Sequence, residues 1–205
     1  MRHGGILLVL ALAWPVTASA HPHVFVDYQV AVNGPPGAIA SLHFRWRYDA
    51  MYSSLVFHDY GLSAPGAAGA EKSEKIKHLD ADNLTQRRFY INIDVDGKRL
   101  DVKDVGGFKA SHEGENLIYD FDVPLPAPAR EISFLVEDPT FYTSFAHQKE
   151  NPVVVNADKI YCFFHDKGRA SIWGIMFVPH VACGMEGVIT EKREEELRKN
   201  QPPRL

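Results

Sequence analysis

Val24-Phe25-Val26-Asp27-Tyr28-Gln29-Val30-Ala31-Val32 alternates apolar and polar with a period of two. Val24, Val26, Tyr28, Val30 and Val32 point to one face, and His23, Phe25, Asp27 and Gln29 to the other. A valine face of this kind marks a half-buried strand on an apolar core. Working outward, Asn33-Gly34-Pro35-Pro36-Gly37 has turn composition. A second strand is predicted from Ile39 to Tyr48, with Leu42, Phe44, Trp46 and Tyr48 inward and Ser41, His43, Arg45 and Arg47 outward. A hairpin centred on Pro35 would set Asp27 opposite His43 and His21 opposite Asp49. A slip of two residues would instead bring His23 to Asp49.

Past Tyr48 the period changes. Ala50 to Phe57 reads as a helix that Gly61 can end, with Asp49 in the N-cap position. Residues 61–72 are small and flexible in composition, and a short polar helix is expected from Glu74 to Leu84. Beyond it the pattern is almost all β. Phe89, Ile91, Ile93 and Val95 alternate up to an Asp96-Gly97 hairpin turn. Tyr119, Phe121 and Val123 form a strand expected to be closed by Pro124, Pro126 and Pro128, and Ile132, Phe134 and Val136 form the next. Val153–Val155, Tyr161–Phe164 and Ser171–Val178 complete the set, the last apolar on both faces and so expected to be deeply buried. The predicted class is mainly β, a β-sandwich or two packed antiparallel sheets, with one or two short inserted helices. Residues 21–188 form a single β-rich domain, or two sub-units joined near 61–88. Residues 189–205 form a charged tail.

The first twenty residues read differently. Arg2, the apolar run Ile6–Trp14 and the small residues Ala18 and Ala20 have the layout of a secretory signal peptide cleaved after Ala20. The expected location is the periplasm, with no later segment apolar enough to span a membrane. Loss of Arg2 takes the formal charge from −4 to −5. A mildly acidic chain without basic clusters argues against nucleic acid as a partner. Cys162 and Cys183 in an exported chain favour a disulfide. The rival is a zinc site from Cys162, His165, His180 and Cys183.

Cleavage after Ala20 would leave His21-Pro22-His23 as the mature terminus. The α-amine and ring of His21 and the ring of His23 are three nitrogen donors suited to zinc, nickel, cobalt or copper. Pro22 has no N–H to lose, so the square-planar mode through deprotonated backbone amides is blocked. Asp49 and Asp138 are candidate carboxylate ligands, and Asp27 and His43 candidate outer partners. Each has a plainer alternative: His-Pro-His a polar lead-in to a strand, Asp49 a helix cap, Asp138 part of a turn. His58, His78, His112 and His147 stand alone and read as surface or loop residues. No Gly-rich phosphate loop, nucleophile elbow or His-Glu-x-x-His helix is present.

His21-Pro22-His23-Val24-Phe25-Val26-Asp27, Trp46-Arg47-Tyr48-Asp49, Val95-Asp96-Gly97-Lys98 and Glu137-Asp138-Pro139-Thr140-Phe141-Tyr142 occur in that order. Together they resemble a bacterial periplasmic family of unknown function, number one thousand and seven in its series. The resemblance implies a periplasmic component of an uncharacterised transport system, of the kind found beside nickel/cobalt-type permeases. It points to His21, His23, Asp27, Trp46, Asp49, Asp138, Thr140 and Tyr142. The Asp-rich calcium-type loop that many relatives carry after the first helix is missing from residues 61–72.

The leading expectation is therefore a non-enzymatic protein that handles a divalent transition metal for an inner-membrane metal permease or ABC-type transporter. A metal-free module that docks on a permease through Phe25, Phe141 and Tyr142 is the second. A copper enzyme using an N-terminal histidine chelate is the third, although such enzymes place their second histidine far along the chain rather than two residues away.

Overall fold

The valine face of the first strand is buried in a core to which two sheets contribute. The computed structural model describes residues 23–60, 75–76, 80, 83–171 and 174–191. β1 (Val24–Asn33) and β2 (Ile39–Tyr48) form the predicted hairpin, followed by α1 (Ala50–Asp59). The later strands are β3 (Ile91–Val95), β4 (Lys98–Leu100), β5 (Gly106–Glu113), β6 (Asn116–Ala129), β7 (Glu131–Val136), β8 (Thr143–His147), β9 (Val153–Asn156), β10 (Ile160–Ser171) and β11 (Gly174–Met185). One sheet has the order β5-β6-β2-β1-β8, with β9 also on β1, and the other the order β10-β11-β7-β3-β4.

The predicted hairpin faces are right, but its register is not. Asp27 pairs with Arg47 and His43 with Ala31, so Asp27 and His43 are not neighbours. The chain turns later than Pro35. Two successive prolines hold φ near one value and offer no N–H, and the reversal is completed at Gly37, with φ +75°. Gly34 is obligatory for a different reason: a Cβ there would stand 2.1 Å from the Ala38 carbonyl oxygen. The shift preserves parity, so Leu42, Phe44, Trp46 and Tyr48 still face inward.

The first sheet is mixed rather than antiparallel. The second side of β1 pairs in parallel with β8 through Val24–Tyr28 and with β9 through Val30–Asn33. Nor do the prolines close β6. It runs on through Pro124, Pro126 and Pro128, which is tolerated because β5 pairs no further than Asp122 and no other strand among the described residues takes up that edge. Phe89 precedes β3 in a short turn, Arg88–Tyr90, all three residues of which have positive φ. Ser171–Val178 is not one strand: β10 ends at Ser171 and β11 begins at Gly174, so the stretch forms the end of a hairpin. An apolar run alone cannot announce that reversal. Residues 186–191 are helical, and the rest of the tail lies outside the described residues, as do residues 61–74.

Both sheets contribute to one core. Phe44 stacks on Phe121 of its own sheet at 5.5 Å and meets the edge of Phe134 across the sandwich at 5.8 Å. Trp46 packs on Phe121 and Phe145. Aromatic pairs of this kind add about 0.5–1.5 kcal/mol each beyond the burial of their area. Helix α1 is tied to the first sheet by buried Ser53, which donates to the Asp49 carbonyl and accepts from the Leu117 N–H. Cys162 and Cys183 are register partners on β10 and β11, and their sulfurs are bonded. The bond consumes both thiolates of the alternative zinc set.

Candidate functional site

Three of the four sequence motifs meet at one end of the first sheet, where β1 begins. The chain at His23 and Val24 is held from two sides. On one, the Tyr142 carbonyl accepts from the N–H groups of His23 (2.9 Å) and Val24 (3.2 Å). On the other, Asp49 Oδ2 accepts from the Phe25 N–H at 2.8 Å. The His23 ring lies on the Tyr142 ring, centroids 4.9 Å apart. His21 and Pro22 lie outside the described residues.

Asp49 is the helix cap that the sequence suggests. Its Oδ1 accepts from the Tyr52 N–H at 2.9 Å, so its two oxygens brace α1 and β1 at once. Asp138 is 2% exposed and organises its own loop. Its Oδ1 accepts from the backbone and hydroxyl of Thr140 at 2.9 and 2.7 Å, and its Oδ2 from the Thr143 N–H at 3.1 Å. These bonds curl Asp138–Tyr142 so that the Tyr142 carbonyl reaches β1. Glu137, beside it, is an ion-pair partner of Arg169 on β10 and accepts from Asn92.

Asp27 is exposed on the outer face of β1. His43 stands elsewhere on that face, its Nδ1 2.8 Å from Asp122 and its Nε2 3.5 Å from Asp120, which also accepts from Arg45. The structure therefore gives Asp27 and His43 separate surroundings. Nor is His147 a lone surface residue. It ends β8 with Nε2 3.1 Å from the hydroxyl of fully buried Tyr28. The exposed ring of His58 lies beside Asp59, and His112 contacts the Gly114 carbonyl. His78 is outside the described residues. Among the described residues no three His, Cys, Asp or Glu side chains gather as a metal site.

Next to this junction a cleft of about 280 Å³ opens, and sequence reasoning missed it. Its walls are Tyr48, Tyr52, Tyr90 and Tyr142, with Asp80, Asn83 and Arg87 as further polar lining. Tyr48 ends β2 and Tyr52 lies one turn into α1, four residues on, and their rings stack at 4.9 Å. That spacing across a strand-to-helix junction was the available signal. Asp80 accepts from the Tyr119 hydroxyl, and Tyr60 also bonds it. Burial pushes the Asp80 carboxyl above its usual range, against the opposing pull of those two hydrogen bonds. Burial likewise raises the phenols of Tyr48, Tyr52 and Tyr119, and the charge of Asp80 adds to the effect. At neutral pH Tyr48, Tyr52 and Tyr119 are therefore neutral hydroxyls, and Asp80 is the carboxyl group among them. Arg87 lies over the Tyr90 ring, 5.7 Å from its centroid.

The fold and this end of the molecule define a two-sheet β-protein whose motifs brace the start of β1 beside a tyrosine-walled cleft. The chain belongs to the family described as protein of unknown function DUF1007, whose model matches residues 6–166. All four motifs fall within that span. No curated protein matches the chain.

Proposed function

We propose that this is a periplasmic accessory protein of a metal transport system, non-enzymatic, carrying a divalent transition metal on His21 and His23. The observation that supports it is the anchoring of His23: its backbone is bonded to Tyr142 and its ring rests on the Tyr142 ring. An ordered imidazole at the start of β1 is a preorganised ligand, and cleavage after Ala20 would add the amine and ring of His21 one residue before Pro22. Asp49 and Asp138 are assigned to positioning, since the oxygens of both already accept backbone N–H groups. Nitrogen donors of this type suit zinc, nickel and cobalt, with copper tightest by raw affinity. The metal is cargo, passed to or from an inner-membrane permease or ABC-type transporter.

The test is to express the chain with its leader, confirm His21 as residue one by mass spectrometry, and titrate zinc, nickel and cobalt calorimetrically. Micromolar or tighter binding is expected, lost in the His21→Ala/His23→Ala double variant. Affinity should fall steeply between about pH 7.5 and about pH 5.5, because free imidazole and α-amine pKa values lie near 6.5 and 7.7–8.0 and protons compete with the metal. Binding that survives the double variant, or a flat pH response, refutes the assignment.

A second reading has its own observation. Phe25 and Tyr142 are 52% and 49% exposed, and Met51 and Leu55 on α1 are exposed as well. Large apolar side chains left open suit a docking surface for a permease. Binding to a permease that persists in metal-free protein and is lost in Phe25→Ser would favour this reading.

A further inference from the structure

We propose that the tyrosine-walled cleft binds a small zwitterion of the amino-acid or betaine class, its ammonium end against Asp80 and the tyrosine rings and its carboxylate end at Arg87. Opposite charges line one cleft here without pairing with each other. Asp80 is held by tyrosine hydroxyls, and no ion pair joins it to Arg87. A half-buried carboxylate held by neutral hydroxyls keeps a charge that a cationic ligand can compensate. The tyrosines that line the cleft add aromatic surface beside that charge, and aromatic rings attract cations and are the usual walls of sites for methylated amines. Arg87 would oppose a simple cation but favours a ligand that carries its own carboxylate, which a guanidinium can grip with two parallel N–H bonds. A volume of about 280 Å³ suits a compact molecule of this class.

The backbone points to the same place. Arg88, Phe89 and Tyr90 all have positive φ, at 52°, 51° and 54°. Three successive non-glycine residues in the left-handed region are costly, and such strain concentrates at binding and catalytic sites. Here the strained turn immediately follows Arg87 and sets Tyr90 into the wall. The Glu137 N–H fastens it by donating to the Tyr90 carbonyl at 2.9 Å.

The probes are glycine betaine and the common α-amino acids, titrated calorimetrically against the full chain in a chelator, which separates this site from any metal on the histidines. At least one zwitterion is expected to bind, with choline, which lacks the carboxylate, weaker by about tenfold or more. Asp80→Asn and Tyr52→Leu should each weaken binding by about tenfold, a change equal to 1.4 kcal/mol. Arg87→Gln alters an exposed side chain and keeps the test decisive if a wall variant fails to fold; it should erase the preference over choline. Three results would overturn the proposal: no zwitterion binds, choline binds as tightly as betaine, or Asp80→Asn and Arg87→Gln both leave affinity unchanged. Metal binding can fail without touching this outcome, and the reverse also holds.

Discussion

Replacing Asp49 separates two roles that its position invites, cap and metal ligand. Asp49→Ala removes the bond to the Tyr52 N–H at 2.9 Å and the bond to the Phe25 N–H at 2.8 Å. Loss of an N-cap of this type costs about 1 kcal/mol. The second bond, at an exposed site, is worth about 1 kcal/mol more. A total of about 2 kcal/mol lowers the melting temperature of a domain this size by about 4–8 °C. Asp49→Asn keeps one acceptor and remains a good cap, so it should lose about half as much. Thermal and urea denaturation of the three proteins give the stabilities, and a zinc titration of the same samples gives the affinity. Metal affinity should stay at the wild-type level in Asp49→Asn. An Asp49→Asn protein as stable as wild type but unable to bind metal would refute the bracing role and make the carboxylate a ligand.

Asp138→Ala should cost about 3 kcal/mol in urea denaturation, because a buried carboxylate collects three hydrogen bonds and its loss orphans the N–H groups of Thr140 and Thr143. Reducing the Cys162–Cys183 bond, or making Cys162→Ser/Cys183→Ser, should cost about 3 kcal/mol, measured with and without reductant. Asp80→Asn should raise the melting temperature at neutral pH. Burial among Tyr48, Tyr52, Tyr60 and Tyr119 raises the Asp80 pKa, so folding is disfavoured while the carboxyl is ionised. That penalty is absent below the unfolded-state pKa, near 3.9, and appears as pH rises through the folded one. The gap between variant and wild type should therefore open with rising pH, and a gap that closes instead would contradict the raised pKa. Stabilisation together with lost zwitterion binding would mark a residue kept for function at the expense of stability.

Periodicity within single elements was enough for most of the fold. The alternation of Val24–Val32, the inward set of Leu42, Phe44, Trp46 and Tyr48, and the Asp96-Gly97 turn all stand as read, because burying one face of a strand is a local instruction repeated every second residue. Asp49 as a cap and the pairing of the two cysteines were legible for similar reasons, one from position before a helix, the other from the chemistry expected of a chain that opens with a signal-peptide pattern. Only tertiary structure decided the hairpin register, which depended on which of Pro35, Pro36 and Gly37 the chain would turn on. Likewise the parallel pairing of β8 and β9 with β1 joins residues more than a hundred positions apart. The meaning of the motifs changed with it: Asp49 and Tyr142 converge to hold the first residues of β1, with Asp138 behind Tyr142. The cleft was hidden for the same reason. The Tyr48–Tyr52 pair, Asp80, the Arg87–Tyr90 turn and Tyr142 come from separate segments, and beyond the spacing within that first pair no sequence period connects side chains that meet only after the chain has folded.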